Sequence, residues 1–406
     1  MTSRYAHLGQ ADLAVLLPEL LLIGFWIDRA GMPWCTFEFG RETMEQIAID
    51  EWMVASPIYA KRIQKALSFE GDDVATIFKA MQFDIGAPPQ FMDFRYALHD
   101  NYHGEFWLDH CGALIDLEPL GDEYVHGMCH TIEDPTFDAT AIATNRRAQM
   151  RPIHRPPRVP TERHPHCAWT VTIEDGHPEV PDPPGLDEMR NTHLANLELD
   201  PIDRTEPGRG DYAGDLVSDV DFREFSHSAL VRLADEMSVE MHLLALGYHR
   251  ALLKRCDTVK ARSMFTSQLI GFSAFAAERL RDALGVAADV GGAMRVLELH
   301  PLVNPAAYVS AAFSDDSLTV EPSAAHADAA WISLVGPDEP RPLQAIVRAV
   351  SPTLDVEITG DRDRWTARVS DGHAAVPESS EVKMGKIGSA LAWRFEERQS
   401  LPLMVL

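Results

Sequence analysis

Two stretches of this chain match end to end without a gap: Asp50-Glu51 through Ala66-Leu67, and Asp235-Glu236 through Ala251-Leu252. Shorter matches follow in the same order. PPQFM (Pro88–Met92) lies over NPAAY (Asn304–Tyr308), EFWLDHCGALID (Glu105–Asp116) over SLTVEPSAAHAD (Ser317–Asp328), and DPTFDA (Asp134–Ala139) over SPTLDV (Ser351–Val356). Self-similarity on this scale constrains a fold more than any single motif does, because each copy must form the same elements in the same order. It predicts a fused pseudo-dimer.

The elements of each copy follow from local patterning. Leu13–Ile27 reads as a buried helix with Pro18 in its first turn, ending near Asp28–Gly31. Asp50–Leu67 and Asp72–Met81 read as further helices. From Phe91 short alternating runs take over (Phe91–Leu98, Glu105–His110, Tyr124–Cys129), with a hairpin turn at Asp100-Asn101. The proline-dense path from Pro152 to Gly185 contains one strand-like segment, Cys167–Ile173. In the second half, Phe225–Arg255 and Arg262–Leu284 space apolar residues by three and four, as helices do. Leu318–Val320, Trp331–Val335 and Val356–Thr359 read as strands, and Trp393–Leu406 fits no pattern. The predicted class is α+β: two related halves, 1–186 and 222–406, each with helices leading into a small antiparallel sheet. An acidic, aperiodic stretch at 187–221 joins them.

Composition narrows the partners. A hydrophobic content of 46% is enough for real cores, and a formal charge of −26 leaves no basic stripe for nucleic acid or an anionic membrane. Leu13–Ile27 falls short of the roughly 20 residues a membrane span needs. The five cysteines are widely spaced with no CxxC, so the expected setting is the reducing cytoplasm. A small-molecule substrate is the expected partner, and a homodimer stays open.

Candidate chemistry concentrates between His99 and Phe137, which holds five of the 17 histidines and two of the five cysteines. His110-Cys111 and Cys129-His130 each end a short apolar run. Thiolate and imidazole ligands suit zinc or iron with one position left open. Without a metal, a neighbouring imidazolium would lower a thiol pKa and make Cys111 or Cys129 a nucleophile. Adjacent strand residues face opposite sides, so His110 and Cys111 both point inward only where the strand ends, and Gly112 makes an end plausible. Glu133-Asp134 offers a general base raised towards neutrality by its twin. His103-Gly104-Glu105, with His130 or His154, would form a two-histidine-one-carboxylate iron site. His154, Arg155 and Arg158 could bind a substrate carboxylate. In the repeat alignment His110, Cys111 and Cys129 fall opposite Pro322, Ser323 and Ile346, so the chemistry belongs to one half. No P-loop, GxGxxG, GxSxG or HExxH occurs.

The segments LDHCGAL at Cys111, MCHTIED at Cys129 and HCAWTVTI at Cys167 with Trp169 carry a resemblance. Over about Asp50 to Glu174 the chain resembles the L-2-amino-thiazoline-4-carboxylate hydrolase-like family, which is related in fold to four-vinyl-reductase-type ligand-binding domains. It departs from that pattern at Gly112, where the family has proline, and in the histidine beside each cysteine. The resemblance implies an α+β pocket for a small organic molecule, with Trp169 beside the ligand.

Together these features predict an enzyme of hydrolytic or ring-opening type. Cys111, Glu133 and Asp134 would act in catalysis, and His110, Cys111, Cys129, His130, His103 and Glu105 are the candidate ligands for iron or zinc. His154, Arg155 and Trp169 would contact substrate. The alternatives are a non-catalytic small-molecule or redox sensor, and a non-haem iron oxygenase built on His103 and Glu105.

Overall fold

The computed structural model describes residues 2–388. Helices α1 (Gln10–Phe39), α2 (Arg41–Ala66) and α3 (Val74–Met81) lead into strands β1 (Met92–Leu98) and β2 (His103–Cys111). A helical run follows: α4 (Gly112–Leu117), α5 (Asp122–His126), a π-helical turn at Gly127–Ile132 and α6 (Glu133–Ala141). Strands β3 (Ala148–His154) and β4 (Cys167–Ile173) close an antiparallel sheet of order β1-β2-β4-β3. A short helix, α7 (Leu186–Arg190), precedes the second half.

That half repeats the plan. Helices α8 (His227–Leu253), α9 (Thr258–Leu284) and α10 (Val290–Leu299) are followed by β5 (Ala311–Phe313), β6 (Ser317–Val320), α11 (Ala324–Ala327) and α12 (Arg341–Val350). Then come β7 (Asp355–Gly360), β8 (Trp365–Ser370) and α13 (Ser380–Gly385), in a sheet of order β5-β6-β8-β7. The molecule is α+β with two related halves.

Local chemistry sets these boundaries. Asp73, Ser226 and Asp257 cap α3, α8 and α9 by accepting from backbone amides three residues on. Gly40, at φ 82°, breaks α1 from α2, a conformation that only glycine adopts without cost. Gly285 ends α9 in the left-handed region.

Matching the halves element by element makes α1 the counterpart of α8, and α2 that of α9. α2 packs along α8, and α1 along α9, so the two long contacts are one contact seen twice. Trp26 of α1 stacks on Phe275 of α9 at 4.1 Å, and the buried apolar residues of both halves form one continuous cluster. Residues 187–221 are tied to the first half: Lys79 donates to the Tyr212 carbonyl and Arg62 to that of Leu197.

The structure corrects parts of the sequence alignment. PPQFM/NPAAY and the β2/β6 match join equivalent places. Asp50–Leu67, however, lies in the second helix of its half and Asp235–Leu252 in the first of the other. DPTFDA lies within α6, whereas SPTLDV follows α12 into β7. Tyr124–Cys129 is helical, and Trp331–Leu334 is a 3-10 turn. α1 runs on through Pro33 to Phe39 and is by length and composition able to cross a membrane, with 67% of its most apolar window buried here. Trp393–Leu406 lies outside the described residues.

Candidate functional site

A cavity of about 550 Å³ opens mainly in the first half, between α1, α2, the sheet and the α4–α6 run, with Met384 of α13 and Ile387 completing its wall. Its walls are mainly apolar: Phe25 and Met32 from α1, Met44 and Trp52 from α2, Phe94 and Leu108 from the sheet, Met128 and Phe137 from the helical run. Phe37, Leu120 and Ile387 also line it and are 80%, 57% and 63% exposed, which gives the mouth an apolar rim drawn from three separate elements.

The π turn shapes one wall. It widens the helix between α5 and α6, a distortion that recurs at functional sites, and Met128, Ile132 and Glu133 come from it or follow directly. Gly127 lets the turn lie close to the Glu45 carboxyl, which a Cβ would meet at 2.1 Å and would have to turn aside.

Among the described residues few charged groups reach the cavity, and all but Arg29 are acids. Glu133 is pushed up to about 8 by burial, against the opposing pull of Arg155; Asp134 adds the smallest effect. Its raised value is thus mainly a desolvation effect, where the sequence predicted repulsion by its twin. Its Oε2 is buried without a hydrogen-bond partner. Asp84 is raised to about 6 by burial, opposed by hydrogen bonds from the Tyr59 hydroxyl (2.6 Å) and the Gly86 amide (2.6 Å). Asp28, also raised by burial, accepts from Trp52 Nε1 at 2.8 Å and sits beside Glu51, which is wholly buried. The sequence reading took Asp28 as a helix-end signal and passed over Asp84.

Cys111 reaches the cavity because the strand kinks. Phe94 pairs with Leu108 but Met92 with Cys111, so β2 carries an extra residue and Cys111 turns to the face of Leu108. It also caps α4, its Sγ accepting from the Leu114 amide at 3.4 Å. Ser323, its counterpart in the repeat, caps α11. Burial pushes the Cys111 thiol up to about 12, and Cys129 and Cys167 above the ordinary thiol range. These three thiols and Glu133 influence one another electrostatically, so the structure does gather them.

The histidines go elsewhere. His110 lies 5.7 Å from the His166 ring, and His166 Nδ1 accepts from the Cys111 amide, so that nitrogen serves the backbone and not a thiol. His130 stacks on His126 at 3.9 Å and bonds the Pro156 carbonyl at 2.7 Å. His103, on the hairpin, is paired with Asp100 at 2.9 Å, while Glu105 is paired with His99 at 3.4 Å. Among the described residues no group of three or more His, Cys, Asp or Glu side chains is arranged to hold a metal ion, so iron or zinc finds no matching ligand set there.

The remaining candidates separate in the same way. Asp134 points outward to an ion pair with Arg155, whose guanidinium lies 5.7 Å above the Trp169 ring. Trp169 is fully buried between Phe106 and Phe137, inside the sheet's packing and not on the cavity wall. His154 lies on the edge strand β3 and Arg158 pairs with Glu118. No family model, no curated protein and no solved structure matches this chain.

Proposed function

We propose that the first half binds a small, largely apolar organic molecule and performs acid–base chemistry on it through Glu133. The observation that carries this reading is the Glu133 carboxyl, with an unpartnered oxygen and a raised pKa, on the wall of an apolar cavity of about 550 Å³. A carboxylic acid that titrates near neutrality suits proton donation to a leaving group and proton removal from an activated carbon. The hydrolytic or ring-opening chemistry implied by the thiazoline hydrolase-like resemblance falls within this class.

Each side chain then has a separate task. Met32, Met44 and Met128 adapt to the ligand's shape, since thioethers repack at little cost. Arg155, held by Asp134, keeps Glu133 from rising further. Cys111, a neutral thiol that caps a helix, supports the wall and is not the nucleophile.

The test is a turnover screen of cyclic thiazolines, amidines and lactones at pH 6–9, on wild type and Glu133→Gln. A substrate whose turnover falls about 10²-fold or more in Glu133→Gln supports the reading. Full turnover in that variant would sink it. Binding of the neutral fluorophore N-phenyl-1-naphthylamine, one per chain and blocked by Ala48→Trp, checks the cavity separately.

A further inference from the structure

We propose that the molecule this cavity takes is an organic cation, an apolar body carrying a protonated or quaternary amine. The inference rests on the reading of the cavity as a ligand site and adds the chemical class. It starts from the inventory of charge on the wall. Asp28, Asp84 and Glu133 line the cavity, and no lysine, arginine or histidine forms an ion pair with any of them among the described residues. Arg29 is the one basic side chain on the described wall, and it is engaged by Asp116. Glu45 is held by Arg41.

Three ligand classes fare differently against such a wall. An anion meets three acids and no available base. A wholly apolar molecule would leave Glu133 Oε2 and Asp28 Oδ1, which have no hydrogen-bond partner, shut away from water, and that costs free energy. A weakly hydrated cation brings the missing charge. It also finds the faces of Phe25, Trp52, Phe94 and Phe137 on the same wall, and aromatic faces attract cations, most strongly where water is excluded.

The hydrogen bonding at the acids points the same way. Trp52 Nε1 donates to Asp28, and Tyr59 Oη and the Gly86 amide donate to Asp84. Each of these donors is neutral. They stabilise the ionised carboxylate without cancelling its charge, so the acids are set to ionise when a cation arrives. The proton each acid then loses goes to solvent. The chain's net charge of −26 favours approach of cations over anions as well.

Two isosteres of equal shape and opposite polarity decide the matter: phenyltrimethylammonium and tert-butylbenzene, each competing against N-phenyl-1-naphthylamine for the intact protein at pH 8. The cation is expected to displace the fluorophore about tenfold more effectively than the hydrocarbon. That ratio is expected to shrink towards one in Glu133→Gln, Asp28→Asn or Asp84→Asn, each checked for native circular dichroism. If tert-butylbenzene competes as well as the cation in wild type, the cation inference falls while the cavity reading stands. Stronger competition by acetophenone, a neutral acceptor of similar size, would also overturn it and make the acids hydrogen-bond donors. If the fluorophore itself does not bind, both readings fall together.

Discussion

Glu133 makes a sharp statement about acidity. Its folded-state pKa, about 8, lies well above the roughly 4.3 of an unfolded glutamate. The folded protein therefore holds a proton that the unfolded chain releases across that interval. Stability falls as pH rises through it and levels off above about 8. The charged neighbours that modulate this are Asp134 and Arg155, while Cys111, Cys129 and Cys167 stay neutral throughout. Urea melts of wild type and Glu133→Gln from pH 5 to 9 are expected to show the wild type losing stability relative to the variant up to about pH 8, then holding constant. A flat difference would mean that Glu133 titrates like an exposed carboxylate. Cys111 makes the opposite kind of statement. Its Sγ caps α4 much as Ser323 caps α11, so Cys111→Ser is expected to stay within about 1 kcal/mol of wild-type stability and to keep its turnover. A loss of about 10³-fold in turnover would restore the thiol as nucleophile. At this scale Glu133 and Cys111 were legible, because polar residues ending apolar runs stand out. Asp28 and Asp84 were not. A single acid beside an apolar run looks the same whether it ends a helix or faces a cavity, and only the approach of α2 and the sheet distinguishes the two.

Elements show why the halves are bound so closely. At the crossing of α2 and α8, a Cβ on Gly247 would stand 2.8 Å from the Glu51 carbonyl oxygen and 2.9 Å from its Cα. Backbone cannot move aside, so Gly247→Ala is expected to part the helices and cost about 1–3 kcal/mol, despite alanine's better helix propensity. At the related crossing of α1 and α9, the nearest atom to a Cβ on Gly31 is Gln268 Nε2, at 2.7 Å, on a side chain that can turn. Gly31→Ala is therefore expected to be the milder of the two, and denaturant melts of the pair test the ranking. An equal or larger loss at Gly31 would mean that Gln268 is fixed by its bond to the Ile27 carbonyl. The long helices and the hairpin were readable because steps of three and four, or strict alternation, run for many residues. The α5–α6 region was not. Tyr124, Val125 and Met128 read as a strand because a cavity wall is apolar on one side only, and because the π turn breaks the helical period where the pattern would have declared itself. Strand β8 was hidden for a different reason: Arg364 just before it and Arg368 on it carry long charged side chains, in ion pairs with Glu321 and Asp316.

For the whole molecule the question is what the second copy of the fold holds where the first has its chamber. In the second half, Trp331 is fully buried between α8 and α9, stacked on Phe272 at 4.6 Å and tilted against His242 at 4.9 Å. His242 is itself fixed by the carbonyls of Pro301 and Asn304, and burial lowers its pKa to about 4. The indole Nε1 of Trp331 has no hydrogen-bond partner, a cost that packing alone must offset. A side chain kept under those conditions is acting by volume. Duplication supplies two chambers in principle; filling one with an aromatic ring turns that half into a rigid support for the other, because α8 and α9 form the surface on which α2 and α1 pack. Trp331→Ala puts this to a direct test. Removing a buried indole is expected to cost about 3–5 kcal/mol. The vacated apolar space is expected to admit indole, which the first cavity also takes, as engineered apolar cavities admit apolar guests of the size removed. Isothermal titration should then give two sites per chain, one of them insensitive to Ala48→Trp. A stoichiometry that stays at one in a folded variant would mean that the second half never held a chamber, and that the asymmetry lies in the helical run from α4 to α6 rather than in one tryptophan.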